Sequence, residues 1–337
     1  MNVLNRVSSR LLALAAVSTL GWGLVQFAVA QEPAIGQPLK VQPAVHWASP
    51  DKLVLLDIAR AGKRLVAVGE MGVIVLSDDD GKSFRQAKSV PADGMLNAIT
   101  FADDKHGWAV GHLGLILATS DGGETWVRQR VDTSVDRPLF SVAFRDASEG
   151  WAVGLWSLLL HTTDGGRNWA EVKLAPPPGA SKADKNLFHI FLDKGNRLYV
   201  AAEQGYVLHS PDGGQTWTYL TTGYAGSFWT GLVAQDGTIL VGGLRGNLYR
   251  STDGGTSWSA VPTGTQLSIT RLAEAGGDVL GVGLDGLVVR GKPHDASFSA
   301  RQVGDRATLT SMAMAGSGQW VFSAKSGIVV PGKDIGL

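Results

Sequence analysis

The chain has no cysteine among its 337 residues. Disulfide bonds, thiolate metal sites and a lipid-modified N-terminal cysteine are therefore excluded. An excess of charge of one sign is also lacking, since the sequence has 30 basic and 30 acidic residues. Without a basic run, the chain has no electrostatic reason to bind nucleic acid. Helical periodicity is absent too, although glycine is abundant at 44 residues, and this combination favours short strands joined by turns.

The long apolar run lies at the start of the chain. Arg6 and Arg10 form a basic segment, residues 11–30 an apolar stretch, and Ala28-Val29-Ala30 a small-residue cleavage site, which is typical of a Sec signal peptide. We therefore expect a signal peptide over 1–30, cleavage after Ala30 and a periplasmic protein. Cleavage would leave 28 basic and 30 acidic residues, a net charge of −2. The alternative is an uncleaved membrane anchor, because the apolar stretch is long enough to span a bilayer.

Five copies of one short motif recur in the remainder of the chain. Their shared pattern is Ser/Thr-x-Asp-x-Gly-x-Ser/Thr-Trp/Phe, with Asn168 the one exception at the seventh place. The copies are SDDDGKSF (77–84), TSDGGETW (119–126), TTDGGRNW (162–169), SPDGGQTW (210–217) and STDGGTSW (251–258). The closing aromatic residues are 42, 43, 48 and 41 residues apart. A period of this size indicates a repeat architecture.

A second pattern, two apolar strands joined by a tight turn, accompanies the motif and occurs seven times. The copies lie at 65–77, 108–120, 151–163, 198–210, 239–251, 279–291 and 320–332. Four short strands in each repeat of about 40 residues are typical of a propeller blade, so we predict an all-β, seven-bladed β-propeller as a single domain over 31–337. The last repeat lacks an outer strand. We predict that a strand at about 39–45 completes this blade and closes the ring.

Turn chemistry accounts for the short motif. Its Asp can accept hydrogen bonds from the backbone of its own turn, its Gly suits a positive φ, and its aromatic residue packs as an apolar plug. We therefore predict a structural role, with no metal or cofactor, for the five motif aspartates Asp79, Asp121, Asp164, Asp212 and Asp253. A ring of sugar-binding residues is the alternative interpretation.

These motifs resemble the Asp-box (BNR) repeats of sialidase-type propellers. The full repeat, G-x-x-G-x-I/V/L followed by S-x-D-G-G-x-T-W, more closely resembles the photosystem II stability and assembly factor family and its non-photosynthetic bacterial relatives, over about 45–332. The resemblance implies an exported, seven-bladed, non-enzymatic protein that assists the assembly of membrane protein complexes. The chain departs from the pattern in its sixth and seventh Asp-boxes and at Leu155-Trp156-Ser157, where the second Gly of the turn is replaced.

Signatures of catalysis are sparse. The F-R-I-P-like segment of a sialidase is missing. The run 281–286 matches the dinucleotide fingerprint, but it is the sixth copy of the tight turn and no helix follows it. No two histidines have the spacing of a metal site. A glycosidase with carboxylates drawn from different blades stays open as an alternative, with Glu70, Glu203 and Asp285 as its best-placed acids.

Antiparallel blades place the turns between second and third strands on the same face as the links between blades, and the Asp-box turns on the opposite face. We call the first of these the channel face. Trp156 is unusual there because nothing in the turn requires a Trp, and Trp and Arg are favoured in binding hot spots. We predict an arc of partner contacts over blades 3 to 5, next to the long link at 175–186. The candidate partner-binding residues are Glu70, His112, Trp156, Glu203, Tyr224, Trp229 and Arg245. We expect a monomer that binds a membrane protein complex or, alternatively, a transporter.

Overall fold

The computed structural model describes residues 41–330, which form seven antiparallel sheets. Each innermost strand packs beside the innermost strand of the next sheet, and the last packs beside the first. The seven-bladed, all-β propeller predicted from the sequence is therefore confirmed. Residues 1–30, the predicted signal peptide, lie outside the described residues. No helix between residues 41 and 330 is long and apolar enough to cross a membrane.

Each of the first three blades contains four strands. Blade 1 comprises β1 (Leu55–Ala61), β2 (Arg64–Gly69), β3 (Ile74–Ser77) and β4 (Arg85–Gln86). Blade 2 comprises β5 (Leu96–Phe101), β6 (Gly107–Gly111), β7 (Ile116–Thr119) and β8 (Val127–Arg130). Blade 3 comprises β9 (Leu139–Phe144), β10 (Gly150–Gly154), β11 (Leu159–Thr162) and β12 (Ala170–Glu171).

Blades 4 to 6 repeat this plan, and blade 7 has three strands in the described part of the chain. Blade 4 comprises β13 (Leu187–Leu192), β14 (Leu198–Ala202), β15 (Tyr206–Ser210) and β16 (Thr218–Thr221). Blade 5 comprises β17 (Phe228–Val233), β18 (Ile239–Gly243), β19 (Leu248–Ser251) and β20 (Ser259–Ala260). Blade 6 comprises β21 (Ile269–Ala275), β22 (Asp278–Gly283), β23 (Leu287–Gly291) and β24 (Ser299–Gln302), and blade 7 comprises β25 (Leu309–Met314), β26 (Trp320–Ala324) and β27 (Gly327–Val329).

The helices of the described chain are single 3-10 turns. One precedes the first blade at Pro50–Lys52. The others follow second strands, at Glu70–Gly72, His112–Gly114, Leu155–Ser157, Leu244–Gly246 and Leu284–Gly286. The second strands themselves are mostly apolar, because each is covered by a neighbouring blade on both faces. On β6, for example, Trp108, Ala109 and Val110 are all buried.

The hydrophobic core is divided among the spaces between blades. Seven clusters of buried apolar side chains each join two neighbouring blades. Leu55 and Leu65 of blade 1 pack with Ala315 and Val321 of blade 7 in one of these clusters. The first and last blades therefore meet through the same kind of apolar packing that joins consecutive blades.

The predicted closing strand at 39–45 is wrong for its described part, 41–45. Residues 41–47 form no strand, and they run beside the link between blades 1 and 2 instead of beside β27. The Ala44 amide donates to Val90 O (3.0 Å), and the Gln42 amide donates to Asp93 Oδ1 (3.0 Å). Residues 39 and 40 lie outside the described range. Side-chain packing between β1 and β25 makes an added strand unnecessary for contact between the end blades.

Side chains of the innermost strands also link each blade to the next by a hydrogen bond. Every innermost strand has a bulge at its second residue. At four interfaces, the residue after the bulge accepts a bond from a backbone amide of the next blade; the pairs are Asp57 with Ile99, Ser141 with Ile190, His189 with Gly231, and Thr230 with Leu272.

The bulge residue makes the link at the other three interfaces. Asn97 donates to Leu139 O (2.8 Å), Thr270 to Leu309 O (2.8 Å), and Thr310 to Leu55 O (2.7 Å). All seven interfaces therefore contain one such bond, supplied by one of two adjacent positions. Each is worth on the order of 1 kcal/mol.

We predict that Thr310→Val weakens the interface of blades 7 and 1 more than Thr270→Val weakens the interface of blades 6 and 7. Both changes remove the same type of bond at about 1–3 kcal/mol, but blades 6 and 7 are also joined by the chain. Hydrogen exchange of β25 to β27 measures the difference. Faster exchange is expected in Thr310→Val, with Thr221→Val on β16 as a control. Equal exchange in both variants would contradict this view of closure.

Candidate functional site

The channel-face turns share one backbone geometry in six blades. Their middle residue has a left-handed conformation with φ near 55°, at Met71, Leu113, Trp156, Gln204, Arg245 and Asp285. This conformation costs a non-glycine residue about 1–2 kcal/mol whatever its side chain. The turn therefore does not select the side chain, and six different side chains occupy the position.

Blade 3 differs from the others at the next residue of the turn. The other five turns have Gly there, and a Cβ built on Gly72 would overlap the carbonyl oxygen of Ala92 in the following link. Blade 3 has Ser157, with φ 56°. The longer link at 175–186 leaves room for its side chain, since the Ser157 amide and hydroxyl both donate to Lys185 O (2.7 and 3.2 Å). Two adjacent left-handed residues thus concentrate backbone strain at this turn.

Trp156 projects from this strained turn with 54% of its surface exposed. Its amide donates to Asn186 Oδ1 (3.2 Å), and Asn186 Nδ2 donates to Glu203 Oε2 (3.2 Å). The last residue of the long link therefore connects the Trp156 turn of blade 3 to the Glu203 turn of blade 4. The structure brings these two predicted residues into one hydrogen-bonded group.

Arg245 lies on the corresponding turn of blade 5. Its amide donates to Ser268 Oγ (3.1 Å), while its side chain is exposed and forms no ion pair with another residue of 41–330. Tyr224 lies against this turn, with its hydroxyl 3.3 Å from Leu244 O and its ring stacked on Tyr249. Tyr224 therefore holds the turn that presents Arg245, and only part of its surface is exposed.

Glu70 and His112 lie outside the predicted arc, on blades 1 and 2. Glu70 Oε1 accepts a bond from the Val54 amide (3.0 Å), which attaches the turn to the start of the blade. His112 Nδ1 lies 2.9 Å from Asp136 Oδ2. The structure therefore does not bring these two residues together with Trp156 and Arg245.

Trp229 occupies the bulge position of β17, at the channel-face end of the innermost strand. Phe140 and Phe188 occupy the same position in blades 3 and 4, and their rings stack at 5.7 Å. Sequence reasoning missed these two phenylalanines. Their signal was their place in the repeat, one residue after the first apolar residue of the innermost strand.

The acids proposed for a glycosidase are each held within their own part of the ring. Glu70 and Glu203 make the bonds described above, and Asp285 Oδ2 accepts a bond from Gln302 Nε2 (2.7 Å). They belong to blades 1, 4 and 6. No group of three or more His, Asp or Glu side chains in the described chain is arranged to hold a metal ion.

One polar group crosses the central channel. Arg271 of blade 6 reaches His189 Nε2 of blade 4 (2.9 Å) and lies 3.8 Å from Asp57 Oδ1 of blade 1. Burial, and the charge of Arg271, hold the pKa of His189 well below its usual value. His189 is therefore neutral at physiological pH, and its role is to link strands.

The Asp-box aspartates all face their own turns. In each box the carboxylate accepts a backbone bond and a side-chain bond from the residue four positions later, from Ser83, Thr125, Asn168, Thr216 and Ser257. These bonds lower the pKa of Asp79, Asp164, Asp212 and Asp253 to about 2. Partial burial acts to raise the pKa of Asp121, but the hydrogen bonds outweigh it and the pKa is lowered.

Comparison with known proteins agrees with the resemblance seen in the repeats. The family described as photosynthesis system II assembly factor YCF48 matches residues 86–187. The resemblance to this family is thus confirmed over that part of the chain. No curated protein matches the sequence.

Solved structures of the same fold include family members and enzymes. The structure titled YCF48 bound to D1 peptide is 16% identical, covers 88% of this chain and 96% of its own, and has a TM-score of 0.67. YCF48 from Cyanidioschyzon merolae is 15% identical, with coverages of 87% and 98% and a TM-score of 0.62. Virginiamycin B lyase from Staphylococcus aureus is 14% identical, with coverages of 86% and 97% and a TM-score of 0.68. At these identities the likeness shows the fold alone.

We predict that Gly72→Ala destabilises the protein by about 2–4 kcal/mol, from overlap with Ala92 and left-handed strain. Ser157→Ala, at the same place in blade 3, should cost no more than about 1.5 kcal/mol because only the hydroxyl bond is lost. Chemical denaturation of both variants measures the two costs. Similar losses would show that the long link makes no special room in blade 3.

The low pKa values of the Asp-box carboxylates predict that the protein loses stability in acid. Their folded pKa values near 2 lie below the unfolded value of about 3.9, so their contribution is present above pH 4 and is lost as the pH falls toward 2. Denaturation midpoints measured from pH 6 to pH 2 should fall. Asp253→Asn should reduce the slope of that fall, and an unchanged slope would contradict the assignment.

Proposed function

We propose that this protein, which is similar to the YCF48 photosystem II assembly factor family, is an exported, non-catalytic scaffold that binds a membrane protein complex through its channel face. The observation that carries the proposal is the distribution of exposed apolar side chains. Of the eight large apolar side chains exposed in the described chain, four lie in turns or links of the channel face: Met71, Met95, Val135 and Trp156. The other four lie outside those turns and links: Val45, Trp47, Val127 and Val330. Exposed apolar side chains grouped on one face are typical of a protein-binding surface.

The Asp-box face provides the contrast. No large apolar side chain is exposed in the five Asp-box turns, and the motif aspartate of each turn accepts hydrogen bonds within its own hairpin. Loops on a rigid scaffold are also where binding residues concentrate. The channel face, where the turn geometry leaves the side chain free to vary, is therefore the better candidate for recognition.

A polypeptide is the class of partner that the comparisons favour. One similar propeller is a YCF48 whose structure contains a D1 peptide. By analogy, the partner here would be a segment of a membrane protein, and we propose a monomeric, periplasmic protein released by cleavage after Ala30. A complex that includes a transporter is an alternative partner within the same proposal.

Affinity capture from cross-linked cells tests the proposal. Wild-type protein should retain the same membrane subunits in repeated captures, identified by mass spectrometry. The double variant Trp156→Ala/Arg245→Ala should reduce their yield about tenfold or more, because Trp and Arg dominate hot spots. A matched control, Val127→Ala/Arg128→Ala, changes an exposed apolar residue and an exposed Arg on the outer strand β8, and should leave the yield unchanged.

Two negative outcomes of the capture experiment have different meanings. If wild-type protein retains no membrane subunit above an untagged control, the scaffold function is wrong. If wild type and the Trp156/Arg245 variant retain the same subunits equally, the function stands and these two residues are not its contacts.

A further inference from the structure

The bulge residues of the innermost strands divide the channel mouth into two parts. Blades 2, 6 and 7 have a polar residue there, Asn97, Thr270 and Thr310, and each donates a hydrogen bond to the next blade. Blades 1, 3, 4 and 5 have Leu56, Phe140, Phe188 and Trp229. The polar residues are thus needed to hold the ring, and the apolar residues are not.

The residue after the bulge explains why the apolar bulge residues need not form a hydrogen bond to the next blade. In the four blades with an apolar bulge residue, the following residue makes the link to the next blade, through Asp57, Ser141, His189 and Thr230. In blades 2, 6 and 7, the residue after the bulge makes no hydrogen bond to the next blade. The residue types at the apolar bulge positions therefore require another explanation.

Core packing does not supply this explanation for the three aromatic residues. Phe140, Phe188 and Trp229 are half-buried, and none belongs to the seven apolar clusters between the blades of residues 41–330. The stacked rings of Phe140 and Phe188 come from adjacent blades, and Trp229 follows in the next. We call these three residues the aromatic arc.

Charged groups on the same face as the arc indicate the chemistry of an occupant. Lys182 of the long link and Arg245 of the blade 5 turn are exposed, and neither forms an ion pair within the described chain. Asp184 pairs with Lys185, whereas Glu203 accepts a bond from Asn186, a neutral amide that does not offset a carboxylate charge. The two cations without an ion-pair partner outnumber this one carboxylate, which favours carboxylates on a partner.

We propose that the aromatic arc is the docking site for an extended partner segment that inserts a large apolar side chain flanked by acidic residues. Phe140, Phe188 and Trp229 provide the apolar contact, while Lys182 and Arg245 pair with the flanking carboxylates. The inference rests on the proposed protein-binding function and specifies its site and the chemistry of its partner.

The natural sequence of the ring supplies a suitable variant. Blades 6 and 7 already carry Thr at the bulge position, where its hydroxyl donates to the first carbonyl of the next innermost strand. Phe188→Thr/Trp229→Thr therefore removes two of the three aromatic side chains of the arc and puts in their place a residue that this position accepts elsewhere. Val127→Thr makes a similar change at an exposed site on β8 and is the matched control. Near-ultraviolet circular dichroism during heating checks the fold, and the two single variants give the same comparison if the double variant does not fold.

Selection from a displayed library of random linear peptides on the immobilised full-length protein tests the site. We expect the enriched peptides to share a large apolar residue flanked by Asp or Glu. They should bind the control like wild type and bind the arc variant about tenfold or more weakly. The proposal is overturned if no peptide is enriched over the blank support, if the enriched peptides lack an apolar anchor, or if they bind the arc variant as well as wild type.

Capture with the same arc variant separates this inference from the broader function. Membrane subunits retained equally by wild type and the arc variant would overturn the arc while leaving the scaffold function intact. The absence of any retained subunit with wild type would contradict the scaffold function itself. Peptide binding at the arc would then still identify a polypeptide site.

Discussion

The hydrogen bond from each innermost strand to the next is the constraint on which the rest of the structure depends. Blades of this size bury their apolar faces only against neighbours, so the ring must bring seven separate sheets into one register. A bond from a fixed position to a backbone group of the next blade sets that register one interface at a time. Either of two adjacent positions can supply it, as Asn97 and Asp57 do in neighbouring blades.

This choice between positions gives a nearly symmetric ring an asymmetric mouth. Where the bond comes from the bulge residue, the channel mouth is lined by a polar group already engaged in bonding. Where it comes from the following residue, the bulge residue is free to take an apolar side chain. Three consecutive blades of the second kind place an aromatic side chain at the bulge position without disturbing closure, because no bond has been given up.

Much of the fold was predictable from the sequence because its repeat is encoded locally. The Asp-box requires a particular turn, and each Asp, Gly and aromatic residue of the motif acts within a few residues of itself. The tight turns before the third strands were equally readable from their glycines. The closing strand was predicted wrongly because a missing strand suggests an edge to be filled, whereas blades 1 and 7 meet through packing of Leu55, Leu65 and Val321.

The candidate site was less predictable because its features depend on register between blades. Trp156 was identifiable as a departure from the repeat, and the structure places it on a strained, exposed turn. Phe140 and Phe188 looked like ordinary strand residues, because their shared place in the repeat does not by itself show that the strand bulges there. Tyr224 was conspicuous in the sequence, but its contacts with Leu244 and Tyr249 were not.

Blade 3 departs from the symmetry of the ring in two places, at its channel-face turn and at its bulge residue. Its turn carries adjacent left-handed residues, Trp156 and Ser157, which is compatible with the fold because the long link to blade 4 recedes from the position that Gly occupies elsewhere. The same link ends at Asn186, which bonds to both the Trp156 turn and Glu203, and blade 3 begins the aromatic arc with Phe140. Each of these features either costs stability or adds none: the backbone strain, the exposed Trp, the longer link, and an aromatic residue that makes no hydrogen bond to the next blade. Their coincidence in one sector of the mouth is what a binding surface would require, since a ring optimised only for closure would have no reason to place them together.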